Sequence, residues 1–314
     1  MTAAAPQRVL YVGSWSRSGS TLLDLMLGRI PGFVSAGEVR FLWDRGLIEG
    51  QLCGCGVPVP RCPFWGAVLD QAFGPGAAPD PADMVVLRDR VDGLGRLPLT
   101  AGPWRPAGLG RDLRAYQAVL ARLYRAIAAV AGAAVVVDSS KYAAYGRLVA
   151  GAPGLDLRLV HLVRDSRAVA YSWTRTKRLR EVADEERYMP VLPAWRSAAF
   201  WNLENVALEL VRPAATRSAV LRYDELTAQP AEALRLTLSR LDLPGDTGGL
   251  ASGRLSVQPN HTVAGNPLRL GRDEISIRAD VEWKDRLPRA GRRTVTALTW
   301  PLLLRYGFPI RSGS

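Results

Sequence analysis

Two periodicities alternate along the chain. RVLYVG at 8–13 is a short apolar run of the kind a buried strand makes. STLLDLMLGRI at 20–30 then places its apolar residues at helical spacing up to Pro31. GFVSAGE at 32–38 predicts a second, short strand with a turn, and AAVVVD at 133–138 a third, preceded by the helical pattern RDLRAYQAVLARLYRAIAAVAG at 111–132. LRLVHLVRD at 157–165 predicts a strand followed by the helix SRAVAYSWTRTK at 166–177, SAVLRYDEL at 218–226 a fifth strand, and 288–305 a closing helix. Strands alternating with helices argue for an α/β fold with three layers, α/β/α, around a central parallel sheet. Ligands of such sheets sit at the carboxyl ends of the strands, so the polar residues that follow each strand are the ones to examine. Three segments break the pattern. Residues 50–110 are rich in Gly and Pro and read as an insertion covering the site, 178–195 as a loop beside a ligand, and 244–287 as a long functional loop that closes over it. One domain spanning 1–314 is expected.

Composition narrows the setting. The chain has 314 residues, 48% of them hydrophobic, enough for a full core. Mean hydropathy is +0.00 and no run approaches the length of a membrane span. The first residues enter a strand without the charged and apolar regions of a signal peptide, so a cytoplasmic protein without a membrane partner is expected. Net charge is +12, which suits an anionic ligand. The 41 basic residues are arginines except for Lys141, Lys177 and Lys284, and they are spread along the chain rather than gathered in a tail, which weakens the case for nucleic acid.

YVGSWSRSGSTLLDLML at 11–27 has the layout of a phosphate-binding loop, strand to glycine-rich turn to helix, without the usual lysine. Gly13 and Gly19 are one residue too far apart for a Walker loop, and Ser20 stands where Lys belongs. Backbone N–H groups and hydroxyls from Gly13 to Thr21 suit an anion at a helix N-terminus, with Arg17 supplying full charge; the plain alternative is a strand–turn–helix connection with serine caps. A second stretch, VHLVRDSRAVAYSW at 160–173, puts Arg164 just past a strand and Ser172 eight residues on, where both can converge on a second phosphate. Two phosphate sites point to a nucleotide phosphorylated at two positions.

Together these stretches resemble the sulfotransferases that use 3′-phosphoadenosine 5′-phosphosulfate (PAPS), of bacterial type and with similarity to the tyrosylprotein and Golgi-type members. SRSGST at 16–21 is similar to the family's 5′-phosphosulfate loop, although Ser16 stands where Pro is usual. Arg164 and Ser172 match its 3′-phosphate motif. LRYDEL at 221–226 matches a segment whose Tyr, here Tyr223, lies near the adenine. HTVAGNPLR at 261–269 resembles a late loop that closes over the nucleotide, with Gly265 in the loop and Asn266 and Arg269 approaching the 3′-phosphate. The resemblance implies a P-loop-like sulfotransferase fold, Arg17, Ser18, Gly19, Ser20 and Thr21 around the 5′-phosphosulfate, 3′,5′-adenosine bisphosphate as product, and no required metal.

Sulfuryl transfer needs charge stabilisation at the leaving oxygen and a base for the acceptor. Arg17 is the natural stabiliser, joined by Lys141 at the end of a strand; for Lys141 the alternative is a surface lysine. The chain has only His161, inside a strand and read as structural, and His261, a weak candidate base. SAGEVRFLW at 35–43 offers Glu38. Aligned from Arg17 with the G-E-E-T-R segment of tyrosylprotein sulfotransferases, Glu38 falls on the catalytic Glu and Arg40 on the later Arg; the alternative is a carboxylate at a helix start. Asp138, Ser139 and Ser140 read as caps of the next helix. Cys53, Cys55 and Cys62 have the spacing of a metal knuckle without an evident fourth ligand nearby, and read as reduced structural thiols, with a disulfide from Cys62 as the alternative. Trp43, Trp65, Trp104, Trp173, Trp195 and Trp201 are candidates for an acceptor pocket or for core packing. The acceptor is expected to be a small molecule such as a secondary metabolite, glycolipid or sugar, chosen by residues in 50–110 and 178–200; whether it offers oxygen or nitrogen is open, as is the oligomeric state. The rival readings are a small-molecule kinase, which would need a lysine after Gly19 and a magnesium-binding carboxylate, and a non-catalytic polyanion binder.

Overall fold

The computed structural model describes residues 5–102, 106–175, 178–179, 187–188, 190–271 and 274–310. Five strands, β1 (Gln7–Gly13), β2 (Phe33–Ser35), β3 (Val135–Lys141), β4 (Leu155–Val163) and β7 (Arg217–Arg222), pair in parallel in the order β2-β3-β1-β4-β7. Two short antiparallel pairs lie outside this sheet, β5 (Arg178–Leu179) with β6 (Arg187–Tyr188) and β8 (Arg254–Ser256) with β9 (Glu274–Ser276). From β1 the chain crosses to β2 on one side, fills the gap with β3, and then builds β4 on the other. The order therefore reverses at the carboxyl end of β1, where a crevice opens in sheets of this kind.

Strand β1 is apolar on both faces because both are covered. Leu10 and Val12 join one core cluster with Leu23 and Met26 of α1 (Ser20–Leu27), Leu226 of α9 (Tyr223–Ala228) and Leu234 and Leu238 of α10 (Pro230–Arg240). Val9 and Tyr11 join the other with Leu120, Leu123 and Tyr124 of α5 (Ala107–Ala131) and Leu148 of α6 (Ala143–Ala150). The period of two along the strand sends successive side chains to opposite layers. Val9, Leu10, Tyr11 and Val12 are fully buried; each such side chain contributes about 1.5–3 kcal/mol of transfer free energy. The three-layer α/β/α arrangement expected from the pattern is the one observed.

Segment 50–110, read as poorly periodic, holds helices α2 (Pro63–Phe73), α3 (Pro81–Val91) and α4 (Leu97–Ala101). Its prolines start helices rather than break them. Pro63 and Pro81 sit at first helical positions, where a missing N–H costs nothing, and Asp80 caps α3 by accepting from the Ala82 N–H at 2.7 Å. Helix α7 (Ser166–Thr174) packs with α8 (Ala194–Val211) and α12 (Arg289–Arg305) through Val169, Trp173, Trp201 and Leu303. A four-residue helix, α11 (Trp283–Arg286), lies against α7 through Trp283. No helix among the described residues is long and apolar enough to cross a membrane.

Candidate active site

The loop from Ser14 to Gly19 leaves β1 and turns into α1 through two left-handed residues, Arg17 (φ 71°) and Gly19 (φ 95°). Gly19 is required twice over: its φ favours glycine, and a Cβ there would lie 2.5 Å from the Tyr223 ring. Helix α1 has no side-chain cap, so the N–H groups of its first turn receive no acceptor from the N-cap residue. Around them stand buried polar atoms with no partner among the described residues: Ser14 Oγ, Ser18 Oγ, and all three guanidinium nitrogens of Arg17. The guanidinium lies 5.1 Å from the centroid of Trp173. Burial lowers the Arg17 pKa, yet arginine remains charged. An unpaired buried cation is costly. A group with several anionic oxygens would satisfy Arg17, the two hydroxyls and the helix N-terminus together. Ser20 and Thr21 open the helix beside them.

Arg164 follows β4 and buttresses the same loop. Its Nη1 donates to the Arg17 carbonyl at 2.9 Å, which helps hold Arg17 in its left-handed conformation, and its Nη2 pairs with Asp280 at 2.9 Å. Its guanidinium lies 4.6 Å from the Tyr223 ring, so Tyr223 is held between Gly19 and Arg164. Arg164 Nε remains buried and unpartnered among the described residues. Ser172 lies buried in the second turn of α7.

On the other side of β1, Lys141 ends β3 with φ 77° and its Nζ donates to Glu38 Oε1. The two side chains are 11% and 5% exposed, a buried ion pair at the mouth of the crevice. Its backbone is tied in from three directions. The Ser14 N–H donates to the Lys141 carbonyl at 3.0 Å, the Ser139 N–H to the Gly37 carbonyl at 2.8 Å, and the Glu38 N–H to the Val263 carbonyl at 2.8 Å. The last bond belongs to a parallel bridge between Gly37 and Val263, which brings the late loop against Glu38. Gly265 lies so close that a Cβ there would stand 3.0 Å from Glu38 Oε1.

Two buried carboxylates support this pair. Asp138 accepts from the Tyr124 hydroxyl and from the Ser140 N–H and Oγ at 2.7 and 2.5 Å, and Ser140 Oγ in turn accepts from the Arg40 N–H at 3.0 Å. The Val39 N–H also donates to Asp138. Both residues after Glu38 are thus fixed through Asp138. Burial pushes the Asp138 pKa up to about 6, against the pull of these hydrogen bonds. Asp24 of α1 accepts from Ser35 Oγ and from Ser139. Burial, then the charges of Asp138 and Glu38, push its pKa up to about 7, while the two hydroxyls oppose the rise.

A cleft of about 490 Å³ is lined by residues that follow the pair closely in sequence, Arg40 and Phe41 after Glu38 and Tyr142 after Lys141. Trp15, Arg40, Phe41, Tyr142, Phe200 and Glu204 contribute to its wall, and Asp92 of the insertion lines it too. Trp15 stacks between Trp173 (5.9 Å) and Phe200 (5.5 Å). Arg40 spans to Asp92 at 2.6 Å and lies 5.0 Å from the Tyr142 ring.

Several expectations are redrawn by this geometry. Arg269 is buried and donates to the backbone carbonyls of Thr262 (2.9 Å) and Leu52 (2.6 Å), and so fastens the late loop to the insertion. Asn266 caps its own turn by accepting from the Leu268 N–H at 3.1 Å. Asp138 caps no helix, because β3 runs on to Lys141 and α6 starts only at Ala143. Tyr223 is the first residue of a helix, α9, not part of a strand. Trp43, Trp65 and Trp201 are core residues, Trp195 is exposed, and Trp104 lies outside the described residues. His161 is structural as read: it is buried, bonds Asn205 Oδ1 at 2.8 Å, and burial lowers its pKa to about 4. His261 points not at the crevice but at the three cysteines. The supporting roles of Asp24 and Asp138 had no local signal, since each is an acidic residue in an ordinary helix or strand, and Trp15 of the loop gave none because its ring partners Trp173 and Phe200 are distant in sequence.

No protein-family model matches the chain, and no curated protein matches it. Among solved structures the chain is similar to the sulfotransferase domain from the curacin biosynthetic pathway, at 16% identity and a TM-score of 0.48 over 98% of this chain and 100% of that one. It is similar to the sulfotransferase domain from the Synechococcus PCC 7002 olefin synthase, at 20% identity and 0.45 over 98% of each. The sulfotransferase STF9 from Mycobacterium avium aligns at 16% identity and 0.46, over 98% of this chain and 78% of that one. With identities and TM-scores at this level, the functional reading rests on the site itself.

Proposed function

We propose that this chain is a PAPS-dependent sulfotransferase acting on a small-molecule acceptor. The observation that carries the reading is the Arg17 guanidinium, buried with none of its nitrogens partnered among the described residues and placed at an uncapped helix N-terminus. PAPS would supply the sulfuryl group. Arg17, Ser14, Ser18 and the first turn of α1 would hold the 5′-phosphosulfate, and Arg164 with Ser172 the 3′-phosphate, as the sequence motifs imply. The acceptor would lie in the aromatic cleft between Trp15, Phe41, Tyr142 and Phe200. Glu38 would take the acceptor's proton on Oε2, the oxygen not engaged by Lys141, as the new bond to sulfur forms. The bond from sulfur to the bridging phosphate oxygen would break, and Arg17 and Lys141 would stabilise the charge left on that oxygen.

The deciding experiment is calorimetric titration with 3′,5′-adenosine bisphosphate, 5′-AMP and ATP, followed by a panel of alcohols, phenols, sugars and amines tested with PAPS. Tight binding of the bisphosphate, with much weaker binding of the other two, supports the reading. Preference for ATP would favour the kinase. Binding of none of them, with salt-sensitive affinity for nucleic acid, would favour a polyanion binder.

A further inference from the structure

All three cysteines of the chain and one of its two histidines meet at one point. Cys62 Sγ lies 3.6 Å from Cys53 Sγ, 3.7 Å from Cys55 Sγ and 3.5 Å from His261 Nδ1, and Cys53 Sγ lies 3.7 Å from the same nitrogen. The four donor atoms fall within 4.8 Å of one another. A tetrahedral zinc ion with bonds of about 2.3 Å to sulfur and about 2.0–2.1 Å to nitrogen sets its sulfurs about 3.8 Å apart and sulfur from nitrogen about 3.6 Å. The four spacings given above, of 3.5–3.7 Å, are close to those of such a shell, and the whole set within 4.8 Å is compact enough for one ion to draw together. We propose that Cys53, Cys55, Cys62 and His261 bind one structural zinc ion that clamps the 50–62 segment to the late loop. The inference does not depend on the sulfotransferase reading.

The surrounding structure fixes each ligand. Cys53 opens a tight hairpin, its N–H donating to the Val57 carbonyl and its carbonyl accepting from Gly56, both at 2.8 Å. The Cys55 N–H is directed to the Cys53 sulfur, the kind of donor that supports a metal-bound thiolate. Cys62 precedes α2. The Phe64 ring stacks on the His261 imidazole at 4.5 Å and 8°, holding its plane, and Trp65 Nε1 donates to the His261 carbonyl at 2.9 Å. Gly54 N–H reaches the Thr262 carbonyl at 3.0 Å. Three sulfurs and one imidazole are soft donors suited to zinc and unsuited to magnesium or calcium, and a full set of four protein ligands marks a structural site. On binding, the three thiols release their protons and the neutral imidazole coordinates through Nδ1. Cys53 and Cys62 are buried, whereas Cys55 and His261 are half-buried, and His261 borders a surface hollow of about 210 Å³ that gives an ion a way in.

The fourth ligand stands 199 residues beyond the third, which is why the spacing of the cysteines alone showed only three. The clamp also has a consequence for the crevice. Two residues past His261, Val263 bonds the Glu38 N–H and pairs with Gly37, so an ion at the cluster would brace the segment that holds Glu38.

The test is metal content. The intact chain, produced in zinc-supplemented medium with a tag free of histidine, should carry one zinc per chain by mass spectrometry. A thiol-specific mercurial should release it, and chelation should lower the melting temperature. Cobalt(II) in its place should give thiolate-to-metal charge transfer and the intense d–d bands of tetrahedral geometry. His261→Ala should lose the metal, while His261→Cys, which restores four ligands, should keep it. Wild-type protein that stays folded but holds no stoichiometric zinc, and whose reduced form fails to take up cobalt, would overturn the proposal. So would a disulfide from Cys62 in freshly prepared metal-free protein, or zinc retained undiminished in a folded His261→Ala variant.

Discussion

Replacing Glu38 with Gln separates chemistry from architecture at this site. The pair it forms with Lys141 is 5% and 11% exposed, so neither charge is well solvated. Removing one partner of a buried pair costs about 3–5 kcal/mol, because the other charge is stranded. Gln still offers Lys141 a carbonyl oxygen, and a hydrogen bond to a charged group returns about 1.5–3 kcal/mol, leaving a net loss of stability of about 1–3 kcal/mol. The catalytic loss should be larger. A positioned base contributes about 10²–10⁴-fold, or about 3–5 kcal/mol of barrier, and a carboxamide cannot accept the proton. The double variant Glu38→Gln/Lys141→Met removes the stranded ammonium, so stability should recover toward wild type while turnover stays low. The assays are urea unfolding, calorimetric titration with 3′,5′-adenosine bisphosphate, and product formation from PAPS with an acceptor found in the panel. Nucleotide affinity should change little in the single variant. Turnover within about threefold of wild type would remove Glu38 as base, since even the weakest general bases contribute more. A double variant no more stable than the single would refute the argument from the stranded charge.

Arg17→Ala removes the guanidinium that has no hydrogen-bond partner among the described residues; loss of a charged hydrogen bond of about 1.5–3 kcal/mol predicts roughly ten- to hundredfold weaker binding of the bisphosphate, and an unchanged titration would rule out the loop as its cradle. Arg164→Ala should weaken the 3′-phosphorylated nucleotide more than 5′-AMP, with some loss for both because Arg164 also braces the Arg17 carbonyl; equal loss would mean Arg164 does not read the 3′ position. Asp24 carries a pH signature. Its folded pKa of about 7 lies above the 3.8 of an unperturbed Asp, so below about pH 4 both folded and unfolded states bind the proton and no penalty exists; as pH rises to about 7 only the unfolded state ionises freely, and stability falls by up to about 4 kcal/mol. Asp24→Asn, which never ionises, should therefore flatten the decline in melting temperature between about pH 4 and pH 7, and parallel curves for variant and wild type would refute the burial argument.

Legibility followed distance along the chain. Strand β1, the glycine turn and α1 were readable because a period-two apolar run, a left-handed glycine and a helical stripe are local signals, complete within 20 residues. Arg17 stood out for the same reason, as the one cation inside that turn. Helix α8 was not anticipated: its exposed face carries Trp195, Leu203, Val206 and Leu210 while its buried face includes Ser197, Glu204 and Asn205, so the amphipathic stripe is lost. Segment 50–110 was read as a Gly- and Pro-rich insertion without elements of its own, although Pro63 and Pro81 stand at the starts of α2 and α3, where proline suits a helix.

The site was legible only as far as its parts are contiguous. Glu38 and Lys141 are 103 residues apart and were singled out separately; nothing in either stretch says that one donates to the other. Asp138 sat in plain view after a run of valines, but its task depends on Tyr124 from α5 and on the Val39 and Arg40 amides, which only the packed sheet brings within reach. Arg269 has partners that its motif did not show. Its place in a motif suggested a phosphate, yet the carbonyls of Thr262 and Leu52 converge on its guanidinium and hold it inside. Arg269 has backbone acceptors on two of its nitrogens, whereas the Arg17 nitrogens have no hydrogen-bond partner among the described residues. Across the sheet rather than along the chain, the Ser14 N–H bonded to the Lys141 carbonyl at 3.0 Å is what joins the loop of Arg17 to the Glu38–Lys141 pair.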